Sequence, residues 1–263
     1  MSTRLQTAID DHVAEVVFNR PDKHNAVDMA MFDELGELGV SLAADRSVRA
    51  VVLRGAGENF CAGIDLDVFS NSEIPIDAAA LGPLEGTPAN RFQHAAYVWR
   101  ELPVPVICAI KGVAFGAGLQ IALGADLRYA SPDAKLSIME IRWGLVPDLA
   151  ITVTSANLVP EDRLRELAYT GRVVSGREAL EVGLVTAVHE DPLAAAKDTA
   201  RQIAAKSPDA IRAMKRMFNE RRDLDQTRSL ALEAALQAGV LQGRNQKEAV
   251  VANMAGREPD FDD

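Results

Sequence analysis

The 263-residue sequence contains only two cysteines, Cys61 and Cys108, which excludes a disulfide scaffold and a multi-thiolate zinc site. Its four histidines are scattered, and none forms a pair spaced for a metal on one helix face. Because no histidine is placed to serve Cys61, we interpret this thiol as a small, partly buried side chain. The sequence therefore predicts no metal site and no resident cofactor.

Nucleotide-binding motifs and uninterrupted apolar runs are also absent. No G-x-G-x-x-G follows a strand, and there is no P-loop and no G-x-S-x-G elbow, so dinucleotide redox chemistry, ATP-dependent transfer and Ser-His-Asp hydrolysis receive no local support. The longest apolar stretch, 104–127, is interrupted by Lys111, Gln120 and Asp126 and is typical of buried strand and helix. No apolar run follows Arg4, so no secretory signal is visible, and we expect a cytoplasmic protein without a membrane partner.

Basic residues are fewer than acidic ones, 28 Lys and Arg against 38 Asp and Glu, which gives a net charge of −10. This charge argues against a protein that binds nucleic acid or an anionic membrane over a broad surface. It leaves open a small anionic ligand held by a few local basic groups. With 48% hydrophobic residues, the chain is long enough to bury a sizeable core.

The hydrophobic pattern alternates between strands and helices up to about residue 190 and is helical beyond it. Strands are predicted at 5–9, 13–18, 48–53, 104–110, 127–130 and 135–138. Helices are predicted after the N-cap Asp28 and at 91–101, 119–124, 161–168, 176–181, 193–205, 208–220 and 224–242, with a mobile loop at 70–90. This order predicts an α/β core over 1–195 and a helical appendage over 196–263.

Two turns of small residues each follow a buried strand and open a helix. The first lies in 59–66 (NFCAGIDL) and the second is the glycine-rich turn 112–118 within 111–120 (KGVAFGAGLQ). Backbone N–H groups at such bends are free to point at a ligand, and the second turn lies at the positive end of a helix dipole. Together they offer two donors to one oxygen, an oxyanion hole for an enolate or a tetrahedral anion. The alternative is that both are tight turns that simply need small residues.

A third segment carries two carboxylates, Glu140 and Asp148, among apolar residues. Poor solvation there would raise a carboxyl pKa toward the range useful for proton transfer. The alternative is a solvent-facing pair, in which one carboxylate caps the following helix and the other pairs with Arg142.

Motifs along nearly the whole chain resemble the crotonase superfamily, also called the enoyl-CoA hydratase/isomerase family. The resemblance rests on NRPDKHNA at 19–26, FCAGID at 60–65, IKGVAFGAG at 110–118, ADLRYA at 125–130, EIRWGLVP at 140–147 and spaced motifs within 170–185 and 206–215. No single motif would suffice to identify the family, but several motifs in this order do. The resemblance implies a spiral of β-β-α turns with a C-terminal helical oligomerisation region that forms a homotrimer or a dimer of trimers.

The resemblance also implies an acyl-CoA thioester as substrate, with coenzyme A as part of that substrate and no separate cofactor. The backbone N–H groups of Ala62 and Ala117 would bind the thioester carbonyl. The adenine end would lie near Lys23 and Ala26. The remaining substrate-binding positions that it implies, along the thioester and pantetheine path, are Ala62, Gly63, Ile64, Asp65 and Gly116.

The catalytic carboxylates depart from the pattern of hydrating relatives, which usually place glutamates at the positions of Gln120 and Glu140. Gln120 cannot titrate, so it can only orient substrate or water by hydrogen bonds. The position of Asp148 carries a functional aspartate in dienoyl-CoA isomerases, and that of Glu140 shuttles the proton in single-glutamate Δ3-Δ2 enoyl-CoA isomerases. We therefore expect double-bond isomerisation, with Glu140 moving the proton and Asp148 acting as a second acid–base group or tuning its pKa.

Other functions stay open. One is a 2-enoyl-CoA hydratase that uses Glu140 alone, and another is a non-catalytic acyl-CoA-binding paralogue. RNA binding, known in one branch, is disfavoured by the acidic net charge. The dehalogenase branch needs a histidine base, and we interpret its distant candidate, His94, as a helix-surface residue. Near the C-terminus, Lys247 and Arg257 either meet a phosphate of a neighbouring subunit's ligand or are surface charges on a frayed tail.

Overall fold

Two sheets organise the protein in a computed structural model that describes residues 4–70 and 81–263. The strands are β1 (Leu5–Asp10), β2 (Val13–Phe18), β3 (Ala50–Gly55), β4 (Val106–Ile110), β5 (Val113–Phe115), β6 (Leu127–Ala130), β7 (Lys135–Ser137), β8 (Val174–Ser175) and β9 (Ala187–Val188). The larger sheet has the order β1-β2-β3-β4-β6-β9, in which β1 and β2 form an antiparallel hairpin and the remaining pairs are parallel. The smaller sheet has the order β5-β7-β8.

Helices connect and cover these strands. They are α1 (Met29–Ala44), α2 (Asp67–Ser70), α3 (Arg91–Glu101), α4 (Ala117–Leu123), α5 (Ile151–Thr154), α6 (Glu161–Thr170), α7 (Gly176–Glu181), α8 (Pro192–Ala204), α9 (Pro208–Glu220), α10 (Gln226–Val240) and α11 (Arg244–Ala255). Short 3-10 turns lie at Pro21–Lys23, Glu140–Trp143 and Arg221–Asp223. None of the helices in the described ranges is long and apolar enough to cross a membrane.

Successive turns of the chain repeat one pattern: a strand of the larger sheet, a residue or strand of the smaller one, then a helix. Strand β4 is followed by β5 and α4, and β6 by β7 and the helices after it. Isolated parallel bridges, Val27 with Ile64 and Cys61 with Ala114, continue the smaller sheet into the earlier turns of the chain. The α/β class and the β-β-α spiral are thereby confirmed.

The segment 112–118 differs from the glycine-rich turn expected from its sequence. Its centre, Val113–Phe115, is strand β5, which pairs with β7, and helix α4 begins two residues early at Ala117. The pairing explains the difference, because the neighbouring strand supplies hydrogen bonds that the local sequence does not reveal. The loop expected at 70–90 falls partly outside the described residues, and 81–90 forms irregular turns.

Helix α8 packs on one face of the larger sheet. Its Ala196 and Ala200 join a buried cluster with residues of β3 and β4, among them Val52 and Ile107. Alternate residues of the same strands face the opposite side, where α1 and α3 form the main core. A boundary between 195 and 196 would therefore cut a helix that belongs to the sheet, and the separately packed helices start after Ala204.

Helix α9 is anchored to the spiral by a buried ammonium group. Lys215 Nζ donates to the carbonyls of Trp99 and Val104 at 3.0 and 2.8 Å and contacts Asp126 Oδ2 at 2.8 Å. The side chain is 4% exposed, and its desolvation is offset by these three partners. The C-terminal residues are also tied down rather than frayed, since Arg49 contacts Asp263 at 2.7 Å.

Candidate active site

The two turns of small residues pair with each other through the backbone. Cys61 N–H donates to the carbonyl of Val113 at 3.0 Å, and Phe115 N–H donates to the carbonyl of Cys61 at 3.0 Å. A Cβ at Gly118 would lie 2.5 Å from the carbonyl oxygen of Cys61, and a Cβ at Gly63 would lie 2.9 Å from that of Phe115. Gly63 also has a φ of +101°, which disfavours any side chain. Glycine at both positions therefore lets the two turns meet.

The hydrogen bonds of these turns correct one predicted oxyanion donor. Ala62 N–H donates to the carbonyl of His24 at 3.0 Å, so it is not free for a ligand. On the other side of Gly63, Ile64 N–H has no acceptor in the described part of the chain, because its neighbour Asp65 is the residue that donates to Val27. Ile64, expected only to line the substrate path, is therefore the residue of the first turn with an available donor.

The predicted second donor, Ala117, also has an available N–H group. Ala117 is the first residue of α4, and its N–H has no acceptor among residues 4–70 and 81–263. The position of a Cβ on Gly63 would lie 4.0 Å from Ala117 N, so the two turns present their amides side by side. The free N–H groups of a helix start also carry the positive end of its dipole.

Ile64 and Ala117 both line a cavity of about 530 Å³. Eight of the predicted site residues lie together in its wall: Ala62, Gly63, Ile64, Gly116, Ala117, Gln120, Glu140 and Asp148. The other described wall residues, which the sequence analysis did not single out, are Met29, Phe32, Leu66, Leu81, Phe92, Met139, Trp143, Leu145, Val146 and Leu149. The i, i+3 spacing of Met29 and Phe32 places both side chains on one face of α1. The spacing alone does not distinguish a face that lines a cavity from one that packs in the core.

Three predicted substrate-binding residues do not line this cavity. Asp65 contacts Arg20 Nη2 at 2.8 Å, and this partner lowers the pKa of Asp65 although burial opposes it. Ala26 is buried and its carbonyl accepts from the Arg20 guanidinium. Lys23 is exposed, and its ammonium contacts Asp67 at 3.0 Å. Asp65 and Ala26 thus contact Arg20 next to the first turn and do not face the cavity.

Gln120 and Glu140 form the polar centre of the cavity. Gln120 is 1% exposed, and its Oε1 accepts from Leu149 N–H at 2.9 Å. This bond orients the amide so that Nε2 donates to Glu140 Oε1 at 2.6 Å. Glu140 Oε2 is buried and has no hydrogen-bond partner within the described residues. One carboxylate oxygen is therefore held in place, and the other remains available.

Both carboxyl groups of the cavity have raised pKa values. Burial is the main cause of the raised pKa of Glu140, and the charge of Asp148 adds to it, whereas the Gln120 hydrogen bond opposes it. Asp148 precedes α5 and is exposed at the cavity, and desolvation by the side chains around it raises its pKa. Carboxyl groups with raised pKa values accept and return protons near neutral pH more readily than ordinary ones.

His94 lies elsewhere. It packs between α1 and α3, where a Cβ on Gly36 would be 2.8 Å from its Nδ1, and it is not part of the cavity wall. Its side chain is 12% exposed, and burial lowers its pKa. The expectation of a helix-surface histidine was therefore wrong, because the glycine on α1 makes room for the ring.

The described residues contain no group of three or more His, Cys, Asp or Glu side chains that could hold a metal ion.

Arg257, a candidate for binding a phosphate of a neighbouring subunit's ligand, contacts Glu248 Oε1 at 2.6 Å. Cys61 is fully buried behind the first turn, and burial raises its pKa to about 12, which makes it a poor nucleophile.

Comparisons with known proteins show which sequences and folds this chain resembles. A family model described as enoyl-CoA hydratase/isomerase matches residues 8–263. The Mus musculus mitochondrial Delta(3,5)-Delta(2,4)-dienoyl-CoA isomerase is 34% identical over 259 residues, which cover 96% of this chain and 79% of the mouse protein. The Proteus mirabilis carnitinyl-CoA dehydratase is 33% identical over 227 residues, covering 85% and 83% of the two chains. The crystal structure of an enoyl-CoA hydratase from Mycobacterium tuberculosis H37Rv superposes with a TM-score of 0.87 at 28% identity, covering 99% of each chain.

The raised pKa of Glu140 leads to a stability prediction for Glu140→Gln. Because the folded-state pKa lies above the ordinary 4.5, ionising this carboxyl destabilises the fold as pH rises through the folded value. The neutral amide avoids that cost. We expect the variant to be more stable at pH 8 by on the order of 1 kcal/mol, with a much smaller difference at pH 5.

Urea unfolding at the two pH values measures this difference. Glu181→Gln, which neutralises an exposed carboxylate on α7, is the matched control and should show no comparable pH dependence. A Glu140→Gln variant that is no more stable than the parent at pH 8 would contradict the desolvation argument.

Proposed function

Because the chain belongs to the enoyl-CoA hydratase/isomerase family, we propose that this enzyme binds an acyl-CoA thioester in the cavity and shifts a carbon–carbon double bond next to the thioester. The observation that carries the proposal is the state of Glu140. One of its oxygens accepts from Gln120 at 2.6 Å, and the other is buried without a partner in a cavity that also holds two free amides. This arrangement suits a base that acts on a carbon acid.

Hydrogen bonds from the two free amides make the α carbon of the thioester acidic enough for this proton transfer. The thioester oxygen accepts from the N–H groups of Ile64 and Ala117, which stabilise the negative charge of the enolate. Glu140 Oε2 takes the proton from the α carbon, and the electron pair moves into the conjugated enolate. Glu140 then returns the proton to the γ carbon, so that the double bond moves into conjugation with the carbonyl and no atom is gained or lost.

Gln120 favours isomerisation over water addition. Its amide cannot accept or release a proton, so of the two side chains bonded to each other at the centre of the cavity only Glu140 could activate a water and protonate the α carbon. Asp148 lines the same cavity and is the second group available for proton transfer on longer conjugated substrates. The alternative, a hydratase that relies on Glu140 alone, is supported by the structural similarity to the M. tuberculosis enoyl-CoA hydratase.

Assays of 3-enoyl-, 3,5-dienoyl- and 2-enoyl-CoA separate these reactions. We expect isomerisation to be fast and Glu140→Gln to lower its kcat by about 10²–10⁴, because a positioned acid–base group is lost. Asp148→Asn should slow the dienoyl substrate more than the 3-enoyl one. Glu181→Gln serves as the control.

Two outcomes would contradict the proposal. Rapid water addition to 2-enoyl-CoA that survives Glu140→Gln would remove Glu140 from its role. If no solvent deuterium enters the α position of any bound ester, the protein is a non-catalytic acyl-CoA-binding paralogue.

Amide-to-ester replacement tests the two oxyanion donors directly. Incorporation of the α-hydroxy analogue of isoleucine at position 64 replaces the N–H by oxygen and leaves the side chain unchanged. We expect kcat to fall by about 10²–10³ with little change in stability. The corresponding replacement at Ala62 removes the bond to His24 and should lower stability while largely retaining kcat. A reversed pattern would restore Ala62 as the donor.

We also infer that the helical region 196–263 mediates assembly into a homotrimer or a dimer of trimers. No residue of helix α10 is fully buried in the described chain, and Leu230 is 64% exposed. On α11, Val251 and Met254 are 54% and 85% exposed. Apolar surface of this kind is typical of a face that another subunit covers.

Leu230→Asp is expected to reduce the mass in sedimentation velocity toward that of one chain, because a carboxylate would be desolvated in the interface. Leu180→Asp, a substitution at a 44% exposed leucine on α7, is the control and should leave the mass unchanged. A parent protein that sediments as a monomer would refute the assembly.

A further inference from the structure

The wall of the cavity is apolar beyond the reacting centre. Within the described residues, the only side chains with an amide or carboxyl group that line it are Gln120, Glu140 and Asp148, and the one further polar group is the indole N–H of Trp143. Two of these are bonded to each other, at 2.6 Å. No lysine, arginine or histidine belongs to the described wall. The described wall therefore offers a distant part of the ligand only methyl, methylene, thioether and ring surfaces.

The cavity extends from the free amides to the contact between α1 and α3. There, Phe32 and Phe92 both line it and pack edge to face, with ring centroids 5.3 Å apart. Met29 and Leu81 add flexible apolar surface to the wall. The amides of Ile64 and Ala117 position the thioester, so the rings are available to the far end of an acyl chain.

The volume sets the size of that chain. A methylene group is similar in size to a water molecule, whose share of the liquid is about 30 Å³. A thioester with an eight-carbon chain therefore needs about 300 Å³, which fits the cavity of about 530 Å³. By the same measure, a four-carbon thioester needs only about 180 Å³ and would leave most of the cavity of about 530 Å³ unfilled.

The charges of the cavity act against an acidic acyl group. Glu140 and Asp148 both face the cavity, and the whole chain has a net charge of −10. A second carboxylate at the far end of the acyl chain would be desolvated among apolar side chains, with no cation in the described wall to pair with it.

We propose that the acyl group of the substrate is an unsubstituted, apolar chain of medium length, and that the site discriminates against short chains and against chains with a terminal carboxylate. This assignment rests on the proposed function, since it takes the thioester to lie at the amides of Ile64 and Ala117. It concerns the part of the substrate that does not react, so binding of unreactive esters tests it.

Saturated esters bind without undergoing isomerisation or hydration, which makes butanoyl-, octanoyl- and suberyl-CoA suitable probes for calorimetric titration of the full-length protein. Each buried methylene contributes about 0.8 kcal/mol, or about fourfold in affinity. We expect octanoyl-CoA to bind at least 30-fold more tightly than butanoyl-CoA, and at least 30-fold more tightly than suberyl-CoA, which has the same length and a terminal carboxylate.

Equal affinities of octanoyl- and butanoyl-CoA, or of octanoyl- and suberyl-CoA, would overturn the inference. If 3-enoyl-CoA is nevertheless isomerised, the proposed function stands and only the acyl assignment fails. If all three esters bind no more tightly than free coenzyme A and no enoyl ester is converted, both fail together.

A variant locates the chain end. Phe92→Ala should weaken octanoyl-CoA binding about tenfold and change butanoyl-CoA binding by less than twofold, because only the longer chain reaches the ring. Tyr169→Ala, an aromatic truncation at a 73% exposed residue of α6 outside the cavity wall, is the control and should change neither affinity. An equal loss for both esters on Phe92→Ala would overturn the placement of the chain end. Because Phe92 is buried, circular dichroism of the Phe92→Ala variant checks that it folds. The comparison of the three esters on the parent protein tests the inference independently of this variant.

Discussion

The close approach of two backbone turns is the constraint on which the site depends. Gly63 and Gly118 each meet a carbonyl of the other turn at a distance that no Cβ tolerates. Only because these residues are glycines can Cys61 pair with β5 while Ile64 and Ala117 line one cavity. The arrangement of the site thus depends on two glycines, and its two free N–H groups belong to the backbone rather than to any side chain.

Glu140 lies between two opposing influences. Burial and the neighbouring Asp148 favour its neutral form, whereas the amide of Gln120 favours its carboxylate. Leu149 determines which end of that amide faces Glu140, so a residue with no chemistry of its own sets the polarity of the centre. A carboxyl group held in this balance destabilises the fold slightly at neutral pH, and the same balance suits the base that we propose it to be, a conflict common to active sites.

Much of this arrangement could be predicted from the sequence, and the exceptions share a cause. Local patterns predict the hairpin β1–β2, the cap of α1 by Asp28 and the presence of two acids in the apolar segment 140–148. The order of the motifs indicates the family. The identity of the first free amide did not follow. It depends on a bridge between Val27 and Ile64, two segments far apart in the chain, and register across such a bridge is set by tertiary contacts. Strand β5 was missed for the same reason.

The dependence of the spiral on its C-terminal part has a consequence for biosynthesis. As the chain leaves the ribosome, the larger sheet has one face uncovered until α8 follows, because Ala196 and Ala200 fill that face. The carboxylate of Asp126 likewise lacks its contact with the ammonium of Lys215 until that residue has been synthesised. The two turns therefore emerge well before the segments that complete the core around them, and a nascent chain that already contains every proposed catalytic residue still exposes one face of the larger sheet.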